Sequence, residues 1–110
     1  QLFTPSETRP NYIFQTFLYA SIMCRQQTLK VAPALLYIHR AASDSYSPVI
    51  EMGEPRQPKI PVNNFTFFED EFRKRLQTLL EEIFSENEPF SQTEDIKKCS
   101  YCDFKAICKR

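Results

Sequence analysis

The last twelve residues, CSYCDFKAICKR, hold three of the four cysteines at C-x2-C-x5-C spacing. Cys99 and Cys102 share one tight turn, the usual half-site for zinc or an iron–sulfur cluster. Cys108 reaches the same metal if residues 103–107 turn once. Lys97, Lys98, Lys105, Lys109 and Arg110 surround the sulfurs, and their positive charge offsets that of a thiolate cluster. The alternative is three reduced thiols without a metal. A thioredoxin-like redox pair has no support, because its C-x-x-C opens a helix within a βαβ pattern absent here. Cys24 lies amid apolar neighbours and reads as a small core residue rather than as a fourth ligand.

The second chemical signal is QTFLY at residues 15–19. Gln15 and Tyr19 are four apart, so a helix projects both from one side, with Tyr12 and Gln26 near the same stripe. Such a pair reads either as two polar residues at an interface, needing hydrogen-bond partners where buried, or as groups facing a ligand's phosphate or base. Spacing alone does not decide. His39, the only histidine, falls in an expected strand and reads as structural. No serine or cysteine sits at a nucleophile elbow. One glycine makes neither a P-loop nor a dinucleotide fingerprint. The DFK triplet at 103–105 mimics half of a metal-nuclease motif, but between Cys102 and Cys108 it reads as turn filler.

These residues need elements to position them. Residues 1–10, with two prolines, read as a lead-in loop. Asn11 can cap a helix running to about residue 28. Its apolar positions 12, 13, 14, 17, 18, 20, 22, 23 and 24 nearly encircle it, and a helix apolar on most sides must be covered on most sides. The other elements are too few for that, which points to part of the fold lying outside these residues. ALLYIHRAA and YSPVIEM, separated by Ser-Asp-Ser, suggest two strands joined as a hairpin. Pro48 confines the second to an edge or a late start. Residues 53–64, with three prolines and the glycine, read as an extended connection.

TFFEDEFRKRLQTLLEEIF is the clearest helix. Thr66 and Glu69 match a capping box. Phe68, Phe72, Leu76, Leu79, Leu80, Ile83 and Phe84 form one apolar stripe, and Asp70 with Lys74 and Glu71 with Arg75 form i,i+4 charge pairs. The order helix, strand, strand, helix, tail suits an α/β or α+β layered domain.

Composition sets the outer limits. A chain of 110 residues makes at most one domain. Hydrophobic residues at 42%, with ten Phe and five Tyr, allow a real core. Fourteen Lys+Arg balance fourteen Asp+Glu, so net charge makes no global case for nucleic acid, and a local basic face stays open. No apolar run approaches the ~18 residues of a membrane span. The start at Gln1 suggests an excised piece. Four cysteines clustered at one end do not make a disulfide scaffold, so a reducing, cytoplasmic setting is expected.

Taken in order, NYIFQTFLYA, FEDEFRKRLQTLLEEIF and PFSQTEDIKKCSYCDFKAIC resemble the C-terminal part of RecB/AddB-like exonuclease domains of the PD-(D/E)XK nuclease superfamily. The resemblance covers residues from about 11 onward. It implies a restriction-endonuclease-like layered fold: apolar helix, short β-hairpin, amphipathic helix and cysteine-rich tail at 93–110, all in one domain spanning 1–110. Gln15 and Tyr19 would be the family's Q-x3-Y pair, lining the cleft beside the nucleic-acid backbone. Cys99, Cys102 and Cys108 would be three ligands of a 4Fe-4S cluster whose fourth cysteine lies far upstream. The family's catalytic Asp and Glu/Asp-x-Lys, which hold Mg²⁺ for phosphodiester hydrolysis, should precede the first helix, and ten residues cannot contain them. The resemblance thus implies a piece of a Mg²⁺-dependent DNA exonuclease, inactive alone, whose parent works with a helicase or helicase–nuclease subunit in repair and recombination. A catalytically inactive nuclease-like scaffold for DNA binding or subunit contact is a second reading. A small zinc-binding interaction module, with Zn²⁺ on the tail, is a third. An uncovered first helix would also drive artificial self-association of the fragment.

Overall fold

Phenylalanine rings join the two long helices. The computed structural model describes residues 2–3, 10–26, 30–54, 56–87 and 89–109. The expected lead-in loop at 1 and 4–9, helix positions 27 and 28, and Arg110 lie outside the described residues.

Helix α1 spans Asn11–Gln26. Nothing inside it breaks a helix, and Phe14 N closes the first turn by donating to Pro10 O at 3.1 Å. Asn11 is therefore the first helical residue and not the cap. Helix α2 spans Thr66–Ile83. It packs on α1 through Phe72, whose ring lies 6.1 Å from Phe17, 5.8 Å from Phe65, 5.7 Å from Phe14 and 5.5 Å from Phe3. The rings meet tilted or edge-on, the arrangements their quadrupoles favour. Phe17, Phe65 and Val62 are the most fully buried side chains.

The expected capping box does not form. Phe65 flanks the helix start, and Asn64 Oδ1 accepts from Thr66 N at 3.2 Å instead. Glu69 serves a different purpose: its Oε1 accepts from Ser21 Oγ at 3.3 Å, tying α2 to α1, with Arg73 3.8 Å away. Ser21 is buried, so its hydroxyl needs this partner. On the wet face Arg75 pairs with Glu71 at 2.6 Å as expected, whereas Asp70 pairs with Arg73 at 2.8 Å.

The sheet keeps the end of the second expected strand, after Pro48, but pairs it with a different partner. Strand β1, Glu51–Met52, pairs antiparallel with β2, Ile60–Pro61, in the register Glu51 opposite Pro61 and Met52 opposite Ile60. Val62 N extends the ladder to Ile50 O at 2.8 Å. Ile50 and Val62 are buried, while Glu51, Met52, Ile60 and Pro61 are all exposed, so only the start of the hairpin reaches the core. Pro61 sits at a non-hydrogen-bonded position of this ladder, so its missing N–H costs the pairing nothing. Gly53 lets the hairpin close, since a Cβ there would sit 3.2 Å from Pro58 O and Lys59 Cα.

The first expected strand is reduced to one antiparallel bridge, Ala34 with Val49, plus Leu35 N donating to Pro48 O at 2.8 Å. The reason is Tyr46. Its hydroxyl donates to Leu35 O and accepts from Tyr37 N at 2.7 Å. One phenol thus occupies the backbone groups a partner strand would use. Beyond it the chain coils into a 3-10 turn, Ile38–Arg40.

The architecture is α+β: two long helices and a small two-stranded antiparallel sheet around one aromatic core. The segment after α2 does not join that core. Among the described residues its short helix α3, Ile96–Ser100, packs on no other named element, and Phe90 and Tyr101 are 91% and 93% exposed. The Cα radius of gyration is accordingly 17.5 Å, against about 13 Å for a compact domain near 100 residues.

Phe72→Ala should lower unfolding free energy by about 3–5 kcal/mol in urea titrations, while Phe90→Ala should change it by less than about 0.5 kcal/mol. Tyr46→Phe should cost about 1–3 kcal/mol, because it leaves two backbone groups of residues 35 and 37 without their partner. Amide exchange read at Tyr37 should accelerate in that variant.

Candidate nucleic-acid interface

Helix α1 divides into two faces. Ile13, Phe14, Phe17, Leu18, Ala20 and Cys24 turn toward the core, Cys24 half-buried against it as its apolar setting suggests. The opposite face carries Tyr12, Gln15, Tyr19, Ile22, Met23 and Gln26, all exposed. Tyr12 is 65% and Tyr19 58% accessible. Among the described residues neither α2 nor the hairpin covers this face, so these two elements shelter the predominantly apolar helix on one side only.

Gln15 and Tyr19 come together on the open face. Gln15 Nε2 donates to Tyr19 Oη at 3.2 Å. The amide thereby fills one lone pair of the phenol and leaves its O–H proton free to donate outward. One turn back, Thr16 Oγ1 donates to Tyr12 O at 2.7 Å, so this hydroxyl is spent on its own helix.

A second group of side chains adjoins the first through Tyr12. The Tyr12 ring meets Tyr37 edge-on, with centroids 6.3 Å apart and planes at 87°. His39 meets Tyr37 at 5.9 Å and 68°. The Arg40 guanidinium lies 5.7 Å from the Tyr37 centroid. His39 is therefore an exposed residue on a turn and not a structural residue in a strand. The Tyr46 hydroxyl displaced it by ending the ladder. Tyr37, His39 and Arg40 were missed because their stretch has strand composition. The available signal was an aromatic followed at i+2 and i+3 by His and Arg just before a Ser-Asp-Ser break.

The cysteine tail is built of successive turns. Asp95 caps α3, accepting from Lys97 N at 3.1 Å and Lys98 N at 3.4 Å. Cys102 N donates to Cys99 O, Lys105 N to Cys102 O and Cys108 N to Phe104 O. Cys99 is half-buried, while Cys102 and Cys108 are exposed. Residues 103–107 do turn, yet among the described residues no three His, Cys, Asp or Glu side chains converge as a metal site. The donor chemistry suits a thiophilic metal, but the arrangement does not fit a closed cluster site.

Two Asp-x-Lys triplets occur, Asp95-Ile96-Lys97 and Asp103-Phe104-Lys105. The first Asp is engaged as a helix cap and as the partner of Lys98 at 3.5 Å; the second lies in the exposed turns expected of filler. Neither assembles a Mg²⁺ centre. Among the described residues no helix is long and apolar enough to cross a membrane.

No curated protein and no solved structure matches the chain. The family model of the PD-(D/E)XK nuclease superfamily matches residues 3–109. That span takes in both helices, the hairpin and the cysteine tail, so the exposed Gln15–Tyr19 helix sits within a nuclease-like α+β fold, and the chain belongs to the PD-(D/E)XK nuclease superfamily.

Proposed function

We propose that this chain is the DNA-positioning portion of a Mg²⁺-dependent exonuclease of the RecB/AddB-like kind, acting with a helicase in repair and recombination. Membership of a nuclease superfamily gives the class of chemistry, phosphodiester hydrolysis with DNA as substrate. The observation that carries the finer reading is the hydrogen-bonded Gln15–Tyr19 pair on an otherwise apolar, uncovered helix face. A polar pair in such a place either orders water or receives a charged ligand, and a phosphodiester oxygen accepts the phenolic proton directly. Mg²⁺ supplies charge stabilisation and an activated water in such enzymes. The acidic residues for that belong, on this reading, to parts of the nuclease other than these elements. The chain's own contribution is to hold the strand.

A nuclease-like scaffold without activity, using the same uncovered helix face for DNA binding or subunit contact, is the second reading. Cleavage assays separate the two when run on the longer polypeptide with and without an acidic centre. The tail is proposed to bind a 4Fe-4S cluster through Cys99, Cys102 and Cys108 once a fourth ligand draws them together, with Zn²⁺ as the alternative metal.

The purified chain should retain DNA in fluorescence anisotropy. Tyr19→Phe, which removes one donor to a charged group, should weaken binding about tenfold, equivalent to about 1.4 kcal/mol. Incubation with Mg²⁺ should leave the DNA uncut, and robust cleavage by the chain alone would refute the assignment of the acidic centre elsewhere. Anaerobic reconstitution of the longer polypeptide with iron and sulfide should give a brown protein that Cys99→Ser, Cys102→Ser or Cys108→Ser each bleaches. A colourless protein retaining stoichiometric zinc would support the zinc alternative.

A further inference from the structure

The Tyr12–Tyr37–His39–Arg40 group is the strongest feature of the surface that the Gln15–Tyr19 pair does not account for. Aromatic side chains usually bury their faces in the core, where Phe14, Phe17, Phe65 and Phe72 do so. Here Tyr12 is exposed, His39 and Arg40 are exposed, and Tyr37 is half-buried. They are not scattered: Tyr37 stands at the centre, with Tyr12, His39 and Arg40 each within 6.3 Å by centroid or guanidinium distance. The position of Tyr37 is also held from behind, since its N–H donates to the Tyr46 hydroxyl at 2.7 Å. A fixed aromatic group on a braced turn has little rotamer entropy left to lose on binding.

Charge narrows the occupant. No carboxylate pairs with Arg40 among the described residues, where the ion pairs involve Arg73, Arg75 and Lys98. Arg40 leans on the Tyr37 ring instead, a contact that leaves most guanidinium donors available to an anion. Ring faces next to an uncommitted guanidinium suit a ligand that is flat and anionic in alternation. A nucleotide strand has that alternation. In a duplex the base faces are stacked on one another and are not available, whereas an unpaired strand offers them to aromatic platforms.

We propose that Tyr12, Tyr37, His39 and Arg40 form a stacking site for an unpaired base of single-stranded DNA, with Arg40 on the adjoining phosphate. The site continues the Gln15–Tyr19 contact along α1 and so rests on the reading of that face as DNA-binding. Gln15 and Tyr19 contact backbone and carry no preference between one strand and two. The Tyr37 group supplies that preference.

The chain contains no tryptophan, so Tyr37→Trp places a single indole reporter at the centre of the site. Titration with an oligothymidylate of about 16 nucleotides, near the upper site size of a stacking module, should quench its emission, and a duplex of equal length should not. In anisotropy, Tyr37→Ala and Arg40→Gln should each weaken oligothymidylate binding about tenfold and leave duplex binding within about twofold, as expected for loss of one stacked base. Tyr37→Phe, which keeps the ring, should bind like the wild type. If Tyr37→Ala no longer unfolds cooperatively, Arg40→Gln, at an exposed position, decides the matter. Unchanged oligothymidylate affinity in Arg40→Gln and Tyr37→Ala, with Tyr19→Phe still weakened, would overturn the stacking site and leave the DNA-positioning role standing. Equal loss toward oligothymidylate and duplex would overturn it as well. A wild-type chain that holds neither DNA would remove both.

Discussion

The packing of Phe72 among Phe3, Phe14, Phe17 and Phe65 is the constraint from which the rest follows. Helix α1 is apolar around most of its circumference and would be equally content to bury any side. The phenylalanine cluster chooses one side. Ser21 and Glu69 then fix the rotation, because a buried hydroxyl must face the carboxylate that satisfies it. With the rotation fixed, Tyr12, Gln15 and Tyr19 have no freedom to turn inward. The exposed face is in this sense what remains after the core has taken its half of the helix.

Both long helices were legible because period and composition agree along them: an uninterrupted apolar helix from residue 11 and a stripe through Phe68, Phe72 and Leu76. Their ends were less so. Thr66 and Glu69 have the letters of a capping box, yet the Glu69 carboxylate instead accepts the hydrogen bond of a buried serine on the neighbouring helix. Strands were misplaced for a related reason. The stretch around residues 35–40 has β-prone residues, but propensity does not reveal a distant tyrosine hydroxyl that occupies the same backbone groups. Residues 60–61 were hidden among prolines, although proline on the outer side of a two-residue ladder costs nothing that ladder needs.

At the candidate site, the Q-x3-Y pair could be read from spacing because four residues on a helix fix both position and direction. The cysteine tail shows the opposite case. Spacing within 99–108 states how far three sulfurs can reach, not where they point, and successive turns without a packed neighbour leave their directions to local hydrogen bonds. The family match nevertheless runs through residue 109, so the tail is part of the nuclease pattern even though it adds nothing to the hydrophobic core. Tyr37, His39 and Arg40 were not legible as a group, because a stretch of strand composition gives no sign of the turn that gathers them.

The Tyr46 phenol has one more consequence. By bridging residues 35 and 37 with a single side chain, it closes the chain from 38 to 45 into a self-contained excursion whose exposed tip carries no part of the core. The number of residues in that excursion is thereby uncoupled from the layer beneath it, since lengthening a closed loop costs only slowly growing entropy. Relatives can therefore diversify, or an engineer can graft a peptide, at residues 42–44 while the aromatic anchor beside α1 keeps its place.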